Sequence, residues 1–455
     1  MKIITSNEKK YQFSSSKFIF IFPILSSFSF LIYWINGGIP FAVLGIIFLF
    51  LPILVFEINT GFYVYYFLLP NIALFKLDTS GFALLSLYLA IVFIRLLFHS
   101  KLKINLSYFI LLIVYLLISL ISYFIEQTDL SIMTQEIRLV LDMFIVFHIL
   151  KINDCNLVPF FDKISNAFIL GTILSVVTGL LFILLEGINL DNFRFVAINS
   201  DPNDFSLNLA FSISLILLKI YYGKGKSQDL YIIFILTIFG SLSLSRGFLI
   251  SMSLNLVFFI FIFFCTAKIK ALLKIIFLFI MGLFIFNFRD LLNNLYLNII
   301  SRFISEETKG GSGRITIWFD FLDEITSNLK GLLIGLGKPL YIQEFDRQAV
   351  QHNLYLEIFT EKGIIGGLVV FCIYLSLFTE LKLKLSVNKF TLISFIPLFT
   401  LAIGFMFLNA LYSDIGIMKI FLGFFAIIVF SKRSITKISV NKTIPINLPL
   451  IENNR

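Results

Sequence analysis

The residue with the clearest chemical potential is His352, which lies in the segment 313–367 and is the only histidine outside an apolar run. Apolar side chains follow it at the spacing of one helical face, namely Tyr355, Leu356 and Phe359. Because Gly363 stands where that helix would end, we expect His352 at a helix N-terminus. The helix dipole and nearby Arg347 disfavour imidazolium, and a neutral imidazole can accept the proton of a hydroxyl. His352 is therefore a candidate general base; the alternative is that it only caps the helix or bonds a loop carbonyl.

Arg246 is the second candidate, because Ser245-Arg246-Gly247 interrupts a stretch that is otherwise apolar. A charge in such a place is costly unless it faces a cavity or a partner. The planar guanidinium suits two-pronged contact with phosphate oxygens and stays charged when it is partly desolvated. We therefore expect Arg246 to hold a phosphate or pyrophosphate group.

Composition indicates the elements that must position these residues. The chain of 455 residues is 58% hydrophobic and contains 57 Phe, and its mean hydropathy is +0.96. These values exclude a soluble globule and predict an all-α polytopic membrane protein with about 12 to 14 transmembrane helices. The three cysteines are far apart and no nucleotide or metal motif occurs, so we expect no disulfide framework, no metal and no cofactor.

Apolar runs mark the predicted spans. They lie near 17–35, 40–57, 61–76, 80–98, 104–125, 134–150, 164–186, 205–221, 230–245, 247–266, 271–288, 363–379, 390–410 and 414–431. The predicted divisions are N-terminal transmembrane helices (1–288), a large extracytoplasmic loop with amphipathic helices (289–362), C-terminal transmembrane helices (363–431) and a cytoplasmic tail (432–455). In the loop, one helical stripe is predicted to lie along the membrane surface and comprises Ile315, Trp318, Leu322 and Ile325. The cluster 199–204 is a turn whose last residues are expected to cap the next helix.

The distribution of lysines among the loops predicts the orientation of the chain in the membrane. Most lysines fall on one side of the predicted spans, which the positive-inside rule assigns to the cytoplasm together with both termini. The net charge of +9 follows largely from these lysines and does not indicate a nucleic-acid partner. Seven of the ten arginines lie on or near the opposite side, whereas only five of the 26 lysines, Lys362 among them, lie in the outer loops. This bias predicts an outward-facing phosphate site; the alternative is a solvated surface of salt bridges with the acids of the loop.

The order of these motifs resembles the bacterial O-antigen ligase and O-antigen polymerase superfamily. The matching motifs are Asp201-Pro202-Asn203-Asp204, Ser245-Arg246-Gly247, Gly313-Arg314 with Trp318, Gly335-x-Gly337, and His352-Asn353 with Glu357 and Gly363. His352 and Gly363 meet the His-x10-Gly spacing of the superfamily. The matching residues lie between about 194 and 367, and elsewhere the resemblance is one of hydropathy.

The resemblance implies metal-independent glycosyl transfer at the outer face of the bacterial cytoplasmic membrane, from a polyprenyl-pyrophosphate-linked oligosaccharide to an acceptor hydroxyl. His352 would act as general base. The substrate-binding residues would be Arg246, Arg314, Arg194, Arg302 and Arg347. Further expected partners are a glycan or lipid A core acceptor, the bilayer and a chain-length regulator protein.

The three possible activities within this superfamily differ in the acceptor of the glycan. A polymerase uses a growing polysaccharide, a ligase uses lipid A core, and an oligosaccharyltransferase uses protein hydroxyls. We expect a polymerase, because a chain of this length without an appended soluble domain is less typical of the protein-modifying branch. A polysaccharide flippase would share the composition, but it would show internal repeats and interrupted helices instead of one dominant outer loop.

Overall fold

The computed structural model describes residues 19–56, 58–75, 84–99, 106–126, 137–146, 148, 157–186, 195–196, 198, 201–222, 224–265, 314–327, 329–335, 353–379 and 396–404. Every regular element in these ranges is helical. In chain order the helices are α1 (Ile21–Asn36), α2 (Ile39–Val55), α3 (Ile58–Leu68) with a short 3-10 helix (Leu69–Phe75), α4 (Leu84–His99), α5 (Leu106–Glu126), α6 (137–146), α7 (Leu157–Glu186), α8 (Pro202–Tyr221), α9 (Ser227–Leu242), α10 (Arg246–Cys265), α11 (Arg314–Ser327), α12 (Leu329–Ile334), α13 (Leu354–Thr379) and α14 (Ile396–Gly404).

Most of the described helices overlap the predicted apolar runs, whereas α11, α12 and the first part of α13 lie in the predicted outer loop. Two of them are long and apolar enough to cross a bilayer by length and composition, Phe160–Glu186 and Pro202–Tyr221. Several further described helices are apolar but shorter, for example Ile21–Asn36 and Gly247–Ile260. The count of 12 to 14 spans, the division into domains and the orientation therefore stay predictions. The predicted spans 271–288 and 414–431 and much of the loop 289–352 lie outside the described residues.

Helix α5 shows how the bundle distributes polarity. Its exposed side chains form a continuous apolar stripe, Leu106, Ile110, Ile113, Leu117, Ile121 and Phe124. The opposite face buries Tyr115 and Ser119. An apolar outside with polar groups inside is the distribution that hydrocarbon favours and water opposes, because a bilayer does not reward the burial of Leu or Ile. The fold is thus compatible with a helical membrane protein.

A buried polar triad joins α8, α10 and α14. Asn255 donates a hydrogen bond to the Ser214 hydroxyl, and the Thr400 hydroxyl lies 2.5 Å from the Asn255 Oδ1 and 3.1 Å from the Ser214 Oγ. All three side chains are at most 2% exposed. Hydrogen bonds between helices are the main polar attraction available where the surroundings are apolar, so this triad fixes the relative register of the three helices.

The same contacts give the helix directions. Asn203 and Ser214 of α8 contact, in the same order, Ser245 just before α10 and Asn255 within it, so α8 and α10 run parallel. Thr400 lies beside Ser214, and Gly404 packs so closely on Leu207 that an added Cβ would lie 2.3 Å from its side chain. Helix α14 is therefore antiparallel to α8. We call the bundle end where α8 and α10 begin and α14 ends the Asn203 end.

Candidate active site

The Asp201-Pro202-Asn203-Asp204 motif begins α8. Asp201 is the N-cap and accepts a 2.7 Å hydrogen bond from the Asn203 backbone N–H, while Pro202 occupies the first helical turn, where it needs no N–H partner. The cap is thus the first residue of the motif, whereas the sequence predicted one of the last. Asp204, only 2% exposed, brings a buried acid into the same turn.

The Ser245-Arg246-Gly247 motif lies directly beside this helix start. The Ser245 hydroxyl donates a 2.8 Å hydrogen bond to the Asn203 Oδ1, and the Phe195 N–H bonds the Leu242 carbonyl at 3.0 Å. The two motifs that the sequence places 42 residues apart are therefore joined through their side chains. Their meeting point is the centre of the Asn203 end.

The turn before Arg246 holds an unusual backbone conformation. Leu244 has a φ of 54°, in the left-handed region that L-residues with a large side chain rarely adopt. Hydrogen bonds of its two serine neighbours hold the turn: the Ser243 hydroxyl donates to the Gly240 carbonyl at 2.6 Å, and the Phe248 N–H donates to Ser245 Oγ at 3.3 Å. Strain of this kind persists where the surroundings fix the backbone. Here it sets the point at which α10 begins with Arg246.

Helix α13 begins one residue after Asn353, and Asn353 supplies the N-cap. Its Oδ1 accepts hydrogen bonds from the backbone N–H groups of Tyr355 at 3.0 Å and Leu356 at 3.2 Å. The capping role considered for His352 is therefore filled by its neighbour. The Tyr355 hydroxyl donates a 2.9 Å hydrogen bond to the Ala402 carbonyl near the end of α14, and partial burial raises the pKa of this phenol, so that it remains a donor.

The Tyr355 contact places the start of α13 at the Asn203 end. Gly404, two residues beyond Ala402, packs against Leu207 near the start of α8. Three helices, α8, α10 and α13, thus begin around the C-terminal end of α14. Helix N-termini carry partial positive charge, which favours an anion, although the caps Asp201 and Asn353 already accept hydrogen bonds from N–H groups of α8 and α13.

Two glycines let the middle of α13 pack closely against the end of α12 and the residue that follows it. Gly363 has φ 63° and ψ −169°, a conformation open essentially to glycine alone, and it divides α13 by a kink. A Cβ on Gly363 would lie 2.4 Å from the Leu333 carbonyl carbon, and a Cβ on Gly335, at φ 85°, would lie 2.3 Å from the Glu361 carbonyl carbon. The helix pauses at Gly363 as expected but then resumes. Gly335 is explained by this close approach of two backbones.

Helix α11 covers the start of α13 through one small apolar cluster. Phe321 and Leu356 form its centre, and Trp318 packs against them. Leu322 of the predicted stripe is 42% exposed, and the placement of this stripe along the membrane surface stays a prediction. The residues of α11 that pack on the protein are Phe321 and Ile325, which are buried, and Trp318, which is partly buried, at a spacing of three and four residues.

The N-terminal half of α13 buries its charged side chains and exposes its aromatic rings. Glu357 and Glu361 are 3% and 5% exposed, while Tyr355 and Phe359 are 48% and 42% exposed. Lys362, which the sequence assigned to an outer loop, is helical and 4% exposed. Its ammonium group donates a 3.1 Å hydrogen bond to Ser119 Oγ on α5. Sequence reasoning missed this buried group, although two acids and a lysine immediately before an apolar run were a signal for it.

The residues proposed from the sequence differ in how far the structure describes them. Arg246 and Arg314 are the first residues of α10 and α11, so their backbone positions are fixed beside the Asn203 end and on the helix that covers α13. His352 immediately precedes the cap of α13 but lies outside the described residues, as do Arg194, Arg302 and Arg347. Their side-chain roles therefore stay predictions.

A known protein family matches the part of the chain that contains these helices. Residues 231–371 match a family model described as O-antigen ligase. The matched range includes most of α9, the helices α10 to α12 and α13 as far as Phe371, together with Arg246, Arg314 and His352. No curated protein matches the chain significantly.

Proposed function

We propose a reaction for this chain from the match of residues 231–371 to the O-antigen ligase family model, which supports membership of the O-antigen ligase/polymerase superfamily. That family implies a membrane setting and a lipid-linked glycan substrate. The proposed activity is that of a glycosyltransferase that polymerises polyprenyl-pyrophosphate-linked oligosaccharide repeat units at the outer face of the bacterial cytoplasmic membrane.

The observation that supports this reaction best is the gathering of helix starts at the Asn203 end. The N-termini of α8, α10 and α13 converge there, and Arg246 is the first residue of α10. Aligned helix dipoles and a guanidinium group favour a pyrophosphate, which carries more than one negative charge. The buried carboxyl of Asp204 and the cap Asp201 at the same end offer acceptors for sugar hydroxyls.

The proposed chemistry is one displacement. The acceptor hydroxyl oxygen attacks the anomeric carbon of the lipid-linked sugar, a new glycosidic bond forms, and the bond from that carbon to the pyrophosphate oxygen breaks. His352 takes the proton of the attacking hydroxyl. Arg246 and Arg314, with Arg194, Arg302 and Arg347, hold the departing polyprenyl pyrophosphate and stabilise the charge that it gains. No metal is required in this scheme, because guanidinium groups supply the positive charge.

A second candidate is transfer of the finished glycan to lipid A core. It is favoured by the description of the matching family model, which is that of a ligase. The saccharide profile of a deletion strain separates the two candidates. Loss of a polymerase leaves a single repeat unit attached to lipid A core, whereas loss of a ligase leaves free lipid-linked polymer. A chain-length regulator is an expected partner of the polymerase.

The direct test is elongation of a lipid-pyrophosphate-linked repeat by the purified protein. We expect His352→Gln, which keeps a hydrogen bond but cannot take a proton, to lose about a hundredfold to ten-thousandfold in rate. The matched control is His99→Gln at the end of α4, which should retain the parental rate. Elongation by the His352→Gln protein close to the parental rate would remove the general base from the proposal.

A further inference from the structure

Three ionisable side chains are buried within six residues of α13. Glu357, Glu361 and Lys362 are each at most 5% exposed. Burying a charged group in an apolar bundle is costly unless hydrogen bonds and partners compensate, and such residues commonly serve a function. Among these three side chains, Lys362 contacts a distant part of the chain, helix α5.

The partners of Lys362 belong to α5. Its Nζ donates a 3.1 Å hydrogen bond to Ser119 Oγ and lies 5.9 Å from the centre of the Tyr115 ring. The Ser119 hydroxyl in turn donates to the Tyr115 carbonyl at 3.1 Å. The contact therefore combines a charge-assisted hydrogen bond with a cation–π interaction in a site where Ser119 is 7% and Tyr115 2% exposed.

This contact joins two parts of the molecule that the sequence separates by 243 residues. Lys362 lies inside the family-matched range 231–371, and Ser119 lies outside it. The residue after Lys362 is Gly363, whose backbone packs on Leu333. The segment 353–362 is thus held at its far end on two sides, by α5 and by the residues at the end of α12, and near its start by the Tyr355 contact with α14.

We propose that Lys362 is a positioning residue for glycosyl transfer: its contacts with Ser119 and Tyr115 of α5 fix the segment 353–362 relative to the Asn203 end. The inference rests on the proposed function, because that segment follows His352 directly in the chain and begins where α8 and α10 also begin. A small displacement of a reacting group can cost about a hundredfold in rate, so a buried tether of this kind acts on the chemical step.

The first test needs no activity. Amide hydrogen exchange of residues 355–361 should accelerate in Lys362→Met and in Ser119→Ala and return towards the parental rate in Lys362→Arg, which keeps a charged donor. The control is Lys219→Met, which breaks the 3.1 Å ion pair of Lys219 with Asp229 at the other end of α8 and should leave this segment unchanged. Unchanged exchange in Lys362→Met overturns the proposal.

The second test is kinetic. We expect kcat of Lys362→Met to fall about tenfold, equivalent to about 1.4 kcal/mol, with the KM for the lipid-linked repeat changed less than twofold. The double variant with Ser119→Ala should be no slower than Lys362→Met alone, since both changes remove one contact. A higher KM with kcat unchanged, or a loss confined to the amount of folded protein, overturns the proposal. If the parental protein transfers no glycan, the proposed function fails, whereas the exchange result still decides whether Lys362 is the tether.

Discussion

Replacing Gly363 by alanine tests the close approach of two backbones. The new Cβ would lie 2.4 Å from both the carbonyl carbon and the oxygen of Leu333 and 2.5 Å from the Ile334 nitrogen. All three atoms are backbone, so no side-chain rotation relieves the clash. The φ of 63° with ψ of −169° adds a conformational cost of about 1–3 kcal/mol for a residue other than glycine. Overpacking costs a further amount of about 1–3 kcal/mol. The total expected loss of stability in Gly363→Ala is therefore about 2–6 kcal/mol.

A matched control lies four residues further along the same helix. A Cβ on Gly367 would meet only the Phe359 ring, at 3.6 Å, which is ordinary contact. Alanine in a helix is favoured over glycine by about 0.5–1 kcal/mol, so Gly367→Ala should be neutral or slightly stabilising. The two substitutions are chemically identical, but the structure predicts that Gly363→Ala lowers the free energy of unfolding, whereas Gly367→Ala leaves it unchanged or raises it slightly.

The assay is thermal unfolding of the purified protein in one detergent, followed by circular dichroism and by the fluorescence of Trp318 in a Trp34→Phe background. The unfolding midpoint should fall for Gly363→Ala and stay or rise for Gly367→Ala. Trp318 packs on the cluster that links α11 to α13, so its signal should change before the bulk of the helix melts in Gly363→Ala. Equal midpoints for the two variants would refute the close contact between Gly363 and Leu333.

Three further predictions concern the site, the triad and the topology. Arg246→Lys should lose most activity in well-inserted protein, because a point charge cannot make a two-pronged phosphate contact; near-normal polymer would reduce Arg246 to a topological marker. Thr400→Val should lower the free energy of unfolding by about 1–3 kcal/mol, since buried Asn255 loses a 2.5 Å partner, whereas Thr400→Ser should restore it; equal unfolding midpoints for the two variants would contradict this role. In a background without the native cysteines, cysteine at Ser312 should label from outside and cysteine at Ser227 should be protected; the reverse pattern would overturn the orientation.

The sequence predicted the helices well because each long apolar run has few alternatives in a bilayer. The helix after His352 was expected, and α13 begins at Leu354. The spacing of Tyr355, Leu356 and Phe359 predicted the helix but did not say which of its faces is buried. Where the surroundings are apolar, Tyr355 and Phe359 remain exposed and Glu357 is buried.

Contacts between segments that are distant in the chain could not be predicted from this one sequence. The hydrogen bond between Ser245 and Asn203 joins two motifs that had separate explanations and brings them together at the Asn203 end. The approach of Gly335 to Glu361 depends on two backbone conformations with positive φ, which neither local pattern specified. The arginines were proposed from their type and their predicted side of the membrane, and the structure describes the backbone of two of them, Arg246 and Arg314.

The triad of Ser214, Asn255 and Thr400 sets an order for biogenesis. Ser214 of α8 precedes Thr400 by 186 positions and Asn255 of α10 precedes it by 145, so both helices are synthesised well before α14. Until α14 is made, Asn255 can hydrogen-bond Ser214 but lacks its third partner, so the two helices share a polar contact that is incompletely satisfied. Synthesis of α14 supplies that partner, Thr400. A chain truncated before Ile396 should therefore leave the Asn255 Oδ1 without this hydrogen bond.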